Sequence, residues 1–125
     1  MTILEAITIV DNMKPNQYTR ADKVKWLSNL DGIVFREIIS THAGNTMEEF
    51  NGYADTAADE TVLLIPYPYD ADIYNYYLQS MIDKENGEYA KYNQSATMYN
   101  NAFRTFQDWY NRTHRPLPCR AAFRF

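Results

Sequence analysis

The feature that most constrains the fold is a three-four repeat of large side chains in the second half of the chain. Six aromatic residues and one alanine recur at these spacings: Tyr89, Tyr92, Ala96, Tyr99, Phe103, Phe106 and Tyr110. The spacing places all seven on one face of an α-helix. Because such large rings suit a packed core or a protein interface, this aromatic stripe predicts a helix that needs a partner surface.

The first 42 residues carry signals for two more helices. Thr2 begins a capping-box pattern, and apolar residues then repeat at helical intervals as far as Lys14-Pro15-Asn16. Thr19 is suited to cap a second helix, whose apolar stripe runs to about His42. Ala43-Gly44-Asn45 is predicted to end that helix, because glycine readily adopts the left-handed conformation found at helix ends.

A third helical segment is predicted after Pro68. Asp70 and Asp72 open it, where carboxylates favour the exposed amide groups and the positive end of the helix dipole. Asn86-Gly87 is a pair typical of helix ends, yet the three-four spacing continues past it without a change of phase. The sequence therefore leaves two alternatives open, one long bent helix or a helical hairpin.

Periodicity is lost between residues 45 and 69, where glycine, prolines and scattered acids surround one apolar run, Thr61-Val62-Leu63-Leu64-Ile65. Long irregular connections are uncommon in compact domains unless they serve binding, so this stretch is itself a hint of function. The alternative is that Leu63, Leu64 and Ile65 only pin a crossover onto the core. The overall prediction is an all-α bundle of about four helices over residues 1–113. It has an irregular excursion at about 43–69, with room for one short strand, and an extended tail at 114–125.

Charge is unevenly distributed along the chain. Residues 43 to 72 contain seven acids and no lysine or arginine, whereas residues 112 to 125 contain four arginines and no acid. Pro116 and Pro118 favour an extended tail, whose Phe123 and Phe125 alternate with arginine like a peptide that docks in a groove. An acidic surface and a basic tail on one chain predict head-to-tail contact between copies, which can close into a ring. The alternative is a frayed, solvated terminus.

Patterns that carry catalytic or metal chemistry are missing from the sequence. The two histidines, His42 and His114, lack the spacing of metal ligands, and Asp70 and Asp72 are better explained by helix capping than as a catalytic pair. Charges of alternating sign near the end of the third helix predict a solvated face: Asp83, Lys84, Glu85, Glu88 and Lys91. We therefore expect no enzyme, no cofactor and no metal.

The remaining composition narrows the class of protein. A single cysteine, Cys119, excludes an intrachain disulfide, and the first residues lack a basic leader and a sustained apolar run, so we expect a cytosolic origin. No stretch approaches the roughly 20 apolar residues that cross a bilayer. The formal net charge of -4 argues against general nucleic-acid binding.

Several local patterns, spread over most of the chain, carry a family resemblance. They are Lys14-Pro15-Asn16-Gln17-Tyr18, Trp26-Leu27-Ser28-Asn29-Leu30-Asp31-Gly32, Gly52-Tyr53, Leu63-Leu64-Ile65-Pro66-Tyr67-Pro68-Tyr69-Asp70, Tyr76-Tyr77-Leu78, Asn86-Gly87-Glu88, Lys91-Tyr92-Asn93 and Trp109-Tyr110-Asn111-Arg112-Thr113-His114. In these patterns and in the order of its segments, the chain resembles the head-to-tail connector proteins of tailed bacteriophages and prophages, also called adaptor or head completion proteins.

The resemblance implies a small structural protein, without enzymatic activity, that forms a ring beneath the portal at the capsid vertex. Its partners would be other copies of itself, the portal protein and a tail or stopper protein, and DNA would only pass through the lumen. The protein would be made in the bacterial cytoplasm and end in the virion at the head-tail interface. It would contact no membrane.

The predicted subunit or portal interface combines the excursion and the tail. Its residues are Glu48, Glu49, Phe50, Tyr53, Asp55, Asp59, Glu60, Arg112, Arg115, Arg120, Phe123, Arg124 and Phe125. The alternative function is a small helical nucleic-acid-binding or regulatory domain, in which the tail arginines and Lys23, Lys25 and Lys91 contact phosphates.

Overall fold

A computed structural model describes residues 1–43 and 49–115 of the chain. The element order is α1 (Ile3–Met13), α2 (Arg20–Glu37), a 3-10 turn (Ile39–Thr41), α3 (Asp70–Glu85) and α4 (Tyr89–Thr113). Over these two stretches the structure contains four α-helices and no β-strand. The prediction of an all-α fold with about four helices is therefore confirmed. The tail from residue 116 onward lies outside the described residues.

The starts of α1 and α2 are as predicted. The Thr2 hydroxyl accepts a hydrogen bond from the Glu5 amide at 3.2 Å, and the Glu5 carboxylate accepts one from the Thr2 amide at 3.3 Å. Thr19 and Asp22 repeat the same reciprocal arrangement at the start of α2. Both helices thus begin with a capping box, which satisfies amide groups that have no partner inside the helix.

The end of α2 was predicted wrongly. The helix ends at Glu37 rather than near His42, and a 3-10 turn follows it. Side chains beyond the end bond back to helix carbonyl groups: the Thr41 hydroxyl donates to the Ile38 carbonyl at 2.8 Å, and Nδ1 of His42 lies 2.6 Å from the same oxygen. Such bonds compete with continuation of the helix, which the apolar spacing alone does not reveal. The Gly44 and Asn45 of the predicted helix end lie outside the described residues.

The second half of the chain is a helical hairpin. Gly87 has a φ angle of +75° between α3 and α4. The Glu88 amide donates to the Asp83 carbonyl at 2.9 Å and the Gly87 amide donates to the Lys84 carbonyl at 3.1 Å. These two bonds form a Schellman motif, which ends α3 and turns the chain back. The structure therefore selects the hairpin of the two alternatives.

The aromatic stripe of α4 packs against α3 and the segment before it, but only along part of its length. Phe106 and Tyr110 are buried, and Phe106 lies 5.8 Å from the ring of Tyr69. The ring of Tyr99 lies 5.2 Å from that of Tyr77 on α3. At the start of the stripe Tyr89 is 70% exposed. The stripe is thus largely a core feature, since the hairpin supplies its partner surface.

The excursion is pinned to the core by the apolar run. Leu63 and Ile65 are buried, and the Leu63 amide donates to the Met1 carbonyl at 2.9 Å. Thr2 and Val62 form a single antiparallel bridge, so the short strand for which the sequence left room reduces to one isolated bridge. Leu63 and Ile65 therefore pin the crossover onto the core, as one alternative predicted.

One residue of the predicted solvated face is buried. Asp83 is 0% exposed, and its carboxylate accepts hydrogen bonds from Lys14 Nζ at 2.5 Å and from the Ser95 hydroxyl at 2.9 Å. The hairpin brings Ser95 of α4 against this carboxylate, and Lys14, which follows α1, also contacts it, so Asp83 faces inward. Its neighbours of alternating charge are exposed as predicted: Lys84, Glu85, Glu88 and Lys91.

Candidate interaction surface

A buried carboxylate on α2 anchors the excursion. Asp31 accepts hydrogen bonds from the Tyr74 hydroxyl at 2.6 Å, from the Leu64 amide at 3.0 Å and from the Tyr53 hydroxyl. The Tyr74 hydroxyl in turn accepts a hydrogen bond from the Ile65 amide at 2.9 Å. This Asp31 network joins α2, the excursion and α3.

The protonation states of the Asp31 network suit a structural role. Burial raises the pKa of Asp31, although the three hydrogen bonds that it accepts oppose this. Burial and the negative charge of Asp31 raise the pKa of Tyr53 and Tyr74, so both hydroxyls stay protonated as donors. Sequence reasoning missed Asp31, although its position four residues after Leu27 and three before Val34 puts it on the apolar stripe of α2.

The other buried charges are also paired. Asp70 accepts a hydrogen bond from the Met1 α-amino group at 3.1 Å and one from the Ala71 amide at 2.8 Å. Lys23, which is 4% exposed, donates to Asp11 at 2.7 Å. In the part of the chain that the structure describes, no buried side-chain nitrogen or oxygen lacks a hydrogen-bond partner. The same part holds no group of three or more histidine, cysteine, aspartate or glutamate side chains placed to bind a metal.

The predicted acidic residues of the excursion are exposed, and one of them is paired within the subunit. Glu49, Asp55 and Glu60 face solvent. Asp59 pairs with Arg20 at 2.8 Å, and the Arg20 guanidinium also donates to the carbonyls of Asp55 and Ala57. This arginine holds residues 55–59 against α2 and leaves the remaining acids available. Glu48 lies outside the described residues.

Two predicted interface residues of the excursion, Phe50 and Tyr53, face inward. Both are half-buried. The ring of Phe50 lies 6.3 Å from that of Phe35 and 5.2 Å from that of Tyr53. Part of each side chain therefore stabilises the subunit itself, and only the remainder can contact a partner.

The predicted basic residues begin where α4 ends. Arg112 and Arg115 are exposed, and the Ala43 amide donates to the Arg115 carbonyl at 2.7 Å. Nε2 of His42 lies 2.8 Å from Oδ1 of Asn111. The fold thus brings the end of α4 beside the start of the excursion. Among the described residues neither arginine forms an ion pair with an acid. The other predicted tail residues, Arg120, Phe123, Arg124 and Phe125, lie outside that part of the chain.

A groove runs between α2 and residues 49–52, with a volume of about 570 Å³. Its lining includes apolar Ile33, Phe35 and Phe50 and charged Arg36, Glu37 and Glu49. Ile33 is 47% exposed although it is a large apolar residue. One signal for this groove is present in the sequence: Ile33 lies beside the buried stripe of α2 rather than on it.

Close backbone contact defines one wall of this groove. The Tyr53 amide donates to the Ser28 hydroxyl at 3.0 Å. Gly52 has a φ angle of +86°, and a Cβ atom at that position would overlap with the Ser28 hydroxyl oxygen. Glycine is therefore required for the excursion to approach α2 this closely.

None of the helices in residues 1–43 and 49–115 is both long enough and apolar enough to cross a membrane. Comparisons of the chain with models of protein families, with curated proteins and with solved structures found no match.

Proposed function

We propose that this chain is a structural subunit of a phage or prophage head-to-tail connector, which forms a ring between the portal protein and a tail or stopper protein. The observation that carries the proposal is the contrast between two sets of charges. Buried charges such as Asp31, Asp70 and Asp83 are engaged in holding the fold. Within residues 1–43 and 49–115, the exposed acids of the excursion form no ion pair with Arg112 or Arg115.

Two complementary surfaces on one subunit suit contact between successive copies. The acidic surface comprises Glu49, Asp55 and Glu60, and the basic surface begins with Arg112 and Arg115. A contact between two different surfaces is heterologous, and it produces a ring when the rotation between copies closes. Opposite charges steer such an encounter and fix its register. The family resemblance supplies the identity of the particle, and DNA would pass through the lumen of the ring.

Charge reversal tests this proposal. We expect Asp55→Lys with Glu60→Lys to abolish self-association and binding to the portal protein. Arg112→Glu with Arg115→Glu should have the same effect. A chain that carries all four changes should recover association, because each interface again joins opposite charges. Sedimentation over a range of concentration and salt measures self-association, and electron microscopy of the mixture with portal shows rings.

The controls separate assembly from folding and from the alternative function. Lys84→Glu with Glu85→Lys reverses two exposed charges outside both surfaces and should leave association unchanged. Failure of the four-residue variant to recover, with all variants folded, would contradict the charge-paired interface. Tight, sequence-dependent DNA binding that weakens steeply with salt would instead support the nucleic-acid-binding alternative. That alternative has lost one of its predicted contacts, because Lys23 is buried against Asp11.

A further inference from the structure

The groove between α2 and residues 49–52 opens near Arg115, the last described residue after α4. Ser40 is one of its lining residues. Ala43, three residues further on, donates its amide hydrogen to the Arg115 carbonyl. Three residues span at most about 11 Å. The chain that follows Arg115 therefore starts close to one end of the groove.

The chain beyond Arg115 has the length to fill this groove. The α2 side of the groove extends from Ser28 to Glu37, which corresponds to about 14 Å along the helix, and Ser40 lies in the 3-10 turn that follows. Residues 116–125 can span up to about 33 Å when extended. A third of that length brings the chain to the groove, and the rest is sufficient to run along it.

The chemistry of the two surfaces also matches. Residues 116–125 carry two arginines, no acid and the apolar residues Leu117, Phe123 and Phe125. The groove offers Ile33, Phe35 and Phe50 as apolar surface, and its acids Glu37 and Glu49 outnumber its one cation, Arg36. Phenylalanine and arginine are both enriched at protein interfaces relative to the rest of the protein surface.

We infer that in the free subunit the C-terminal segment, residues 116–125, docks into the groove of its own chain. A tethered segment that starts beside its site has an effective concentration in the millimolar range, so even a weak contact is occupied. Docking would cover Phe123 and Phe125 until a partner displaces them. This inference concerns the free subunit and does not depend on the connector role.

The single cysteine, Cys119, lies inside the segment and allows a direct test on the full chain. A nitroxide attached to Cys119 weakens the nuclear magnetic resonance signals of nearby amides. We expect loss of the signals of Ile33, Glu37 and Phe50, relative to the same sample after chemical reduction of the label. If the amide signals of these groove residues kept their intensity, the inference would be wrong.

A mixed sample distinguishes a chain's own segment from a neighbour's. Isotope-labelled Cys119→Ser chains are mixed with spin-labelled chains that carry no isotope. Signal loss in the groove of the isotope-labelled chains would mean that the segment comes from another copy, and it would overturn the inference. Intact groove signals in this mixture, together with loss in the singly labelled sample, would support it. Sedimentation of the same samples reports ring formation separately, so failure of this inference and failure of the connector proposal are distinguishable.

Matched variants identify the contacts. Ile33→Asp puts a charge into the groove, whereas Met98→Asp puts one on α4 at a residue that does not line it. Ile33 and Met98 are 47% and 46% exposed, so both variants should fold. We expect Ile33→Asp to abolish the signal loss and Met98→Asp to preserve it. The double variant Phe123→Ala, Phe125→Ala should also abolish the loss of groove signals. If the signals were still lost in that variant, docking through these two rings would be contradicted.

Discussion

The α3–α4 hairpin and the described part of the excursion, residues 49–69, are held in place by different means. In the hairpin, order comes from a continuous row of aromatic rings. The ring of Phe103 lies about 6 Å from those of Tyr99 and Phe106 on the same helix, and Tyr99 also contacts Tyr77 on α3. In the excursion, order comes from separated contacts: the Asp31 network, the Arg20 bonds and the buried Leu63 and Ile65. Because these contacts are separated, the residues of the excursion that lie between them can contact a partner.

The physical basis of this difference is the range of the interactions. Apolar contact stabilises in proportion to the area removed from water, so it needs a continuous face. A buried carboxylate with several donors fixes backbone at single positions, because any donor left without its acceptor is costly. An irregular segment with few apolar residues can therefore be held by polar anchors while its acids stay exposed.

Loss of a stripe ring should have the largest effect on the free energy of unfolding. Phe106 is fully buried. We expect Phe106→Ala to lower the unfolding free energy by about 3–5 kcal/mol, because it removes apolar contact and leaves a cavity. Denaturant unfolding measures this value, and Met98→Ala on the exposed side of α4 is the control. If Phe106→Ala lowered the free energy of unfolding by less than Asp31→Asn does, the polar anchor rather than the ring would be the stronger contribution.

Loss of the polar anchor should have an intermediate effect that is concentrated in the excursion. Asp31→Asn keeps the shape of the side chain but replaces one carboxylate oxygen by an NH₂ group, which cannot accept a hydrogen bond from the donors around it. We therefore expect the free energy of unfolding to fall by about 2–3 kcal/mol. Hydrogen exchange at the Leu64 and Ile65 amides should accelerate more than exchange in α4. Asp55→Asn makes the same chemical change at an exposed position and should have little effect. Equal acceleration in both regions would mean that the excursion has no independent anchor.

Loss of the Arg20 contacts should have the smallest effect. The Arg20–Asp59 pair is partly exposed, and water can replace the bonds to the carbonyl groups. We expect Arg20→Ala to lower the free energy of unfolding by about 0.5–1 kcal/mol and to accelerate amide hydrogen exchange in residues 55–59. Lys25→Ala removes an exposed cation from the same helix and is the control. Unchanged exchange in residues 55–59 would show that Leu63 and the Asp31 network alone order the segment.

Local signals in the sequence predicted much of the fold. Thr2 and Thr19 cap helices as expected. Leu63 and Ile65 are buried, as expected if the apolar run pins the excursion onto the core. Asp83 was assigned to a solvated face because its neighbours alternate in charge, yet Lys14 and Ser95 cover it. Lys14 is 69 residues away along the chain, so local charge patterning carries no trace of that contact.

What the sequence determined by itself was which parts of the chain are helical and the separation of acids from arginines, because capping, periodicity and composition act over a few neighbouring residues. Tertiary structure alone decided that Gly87 turns the chain back into a hairpin and that Asp31 becomes a buried anchor. It also decided that the end of α4 lies beside Ala43. Each of these depends on which distant surfaces meet, and burial by a distant segment changes the role of a side chain without changing its local pattern.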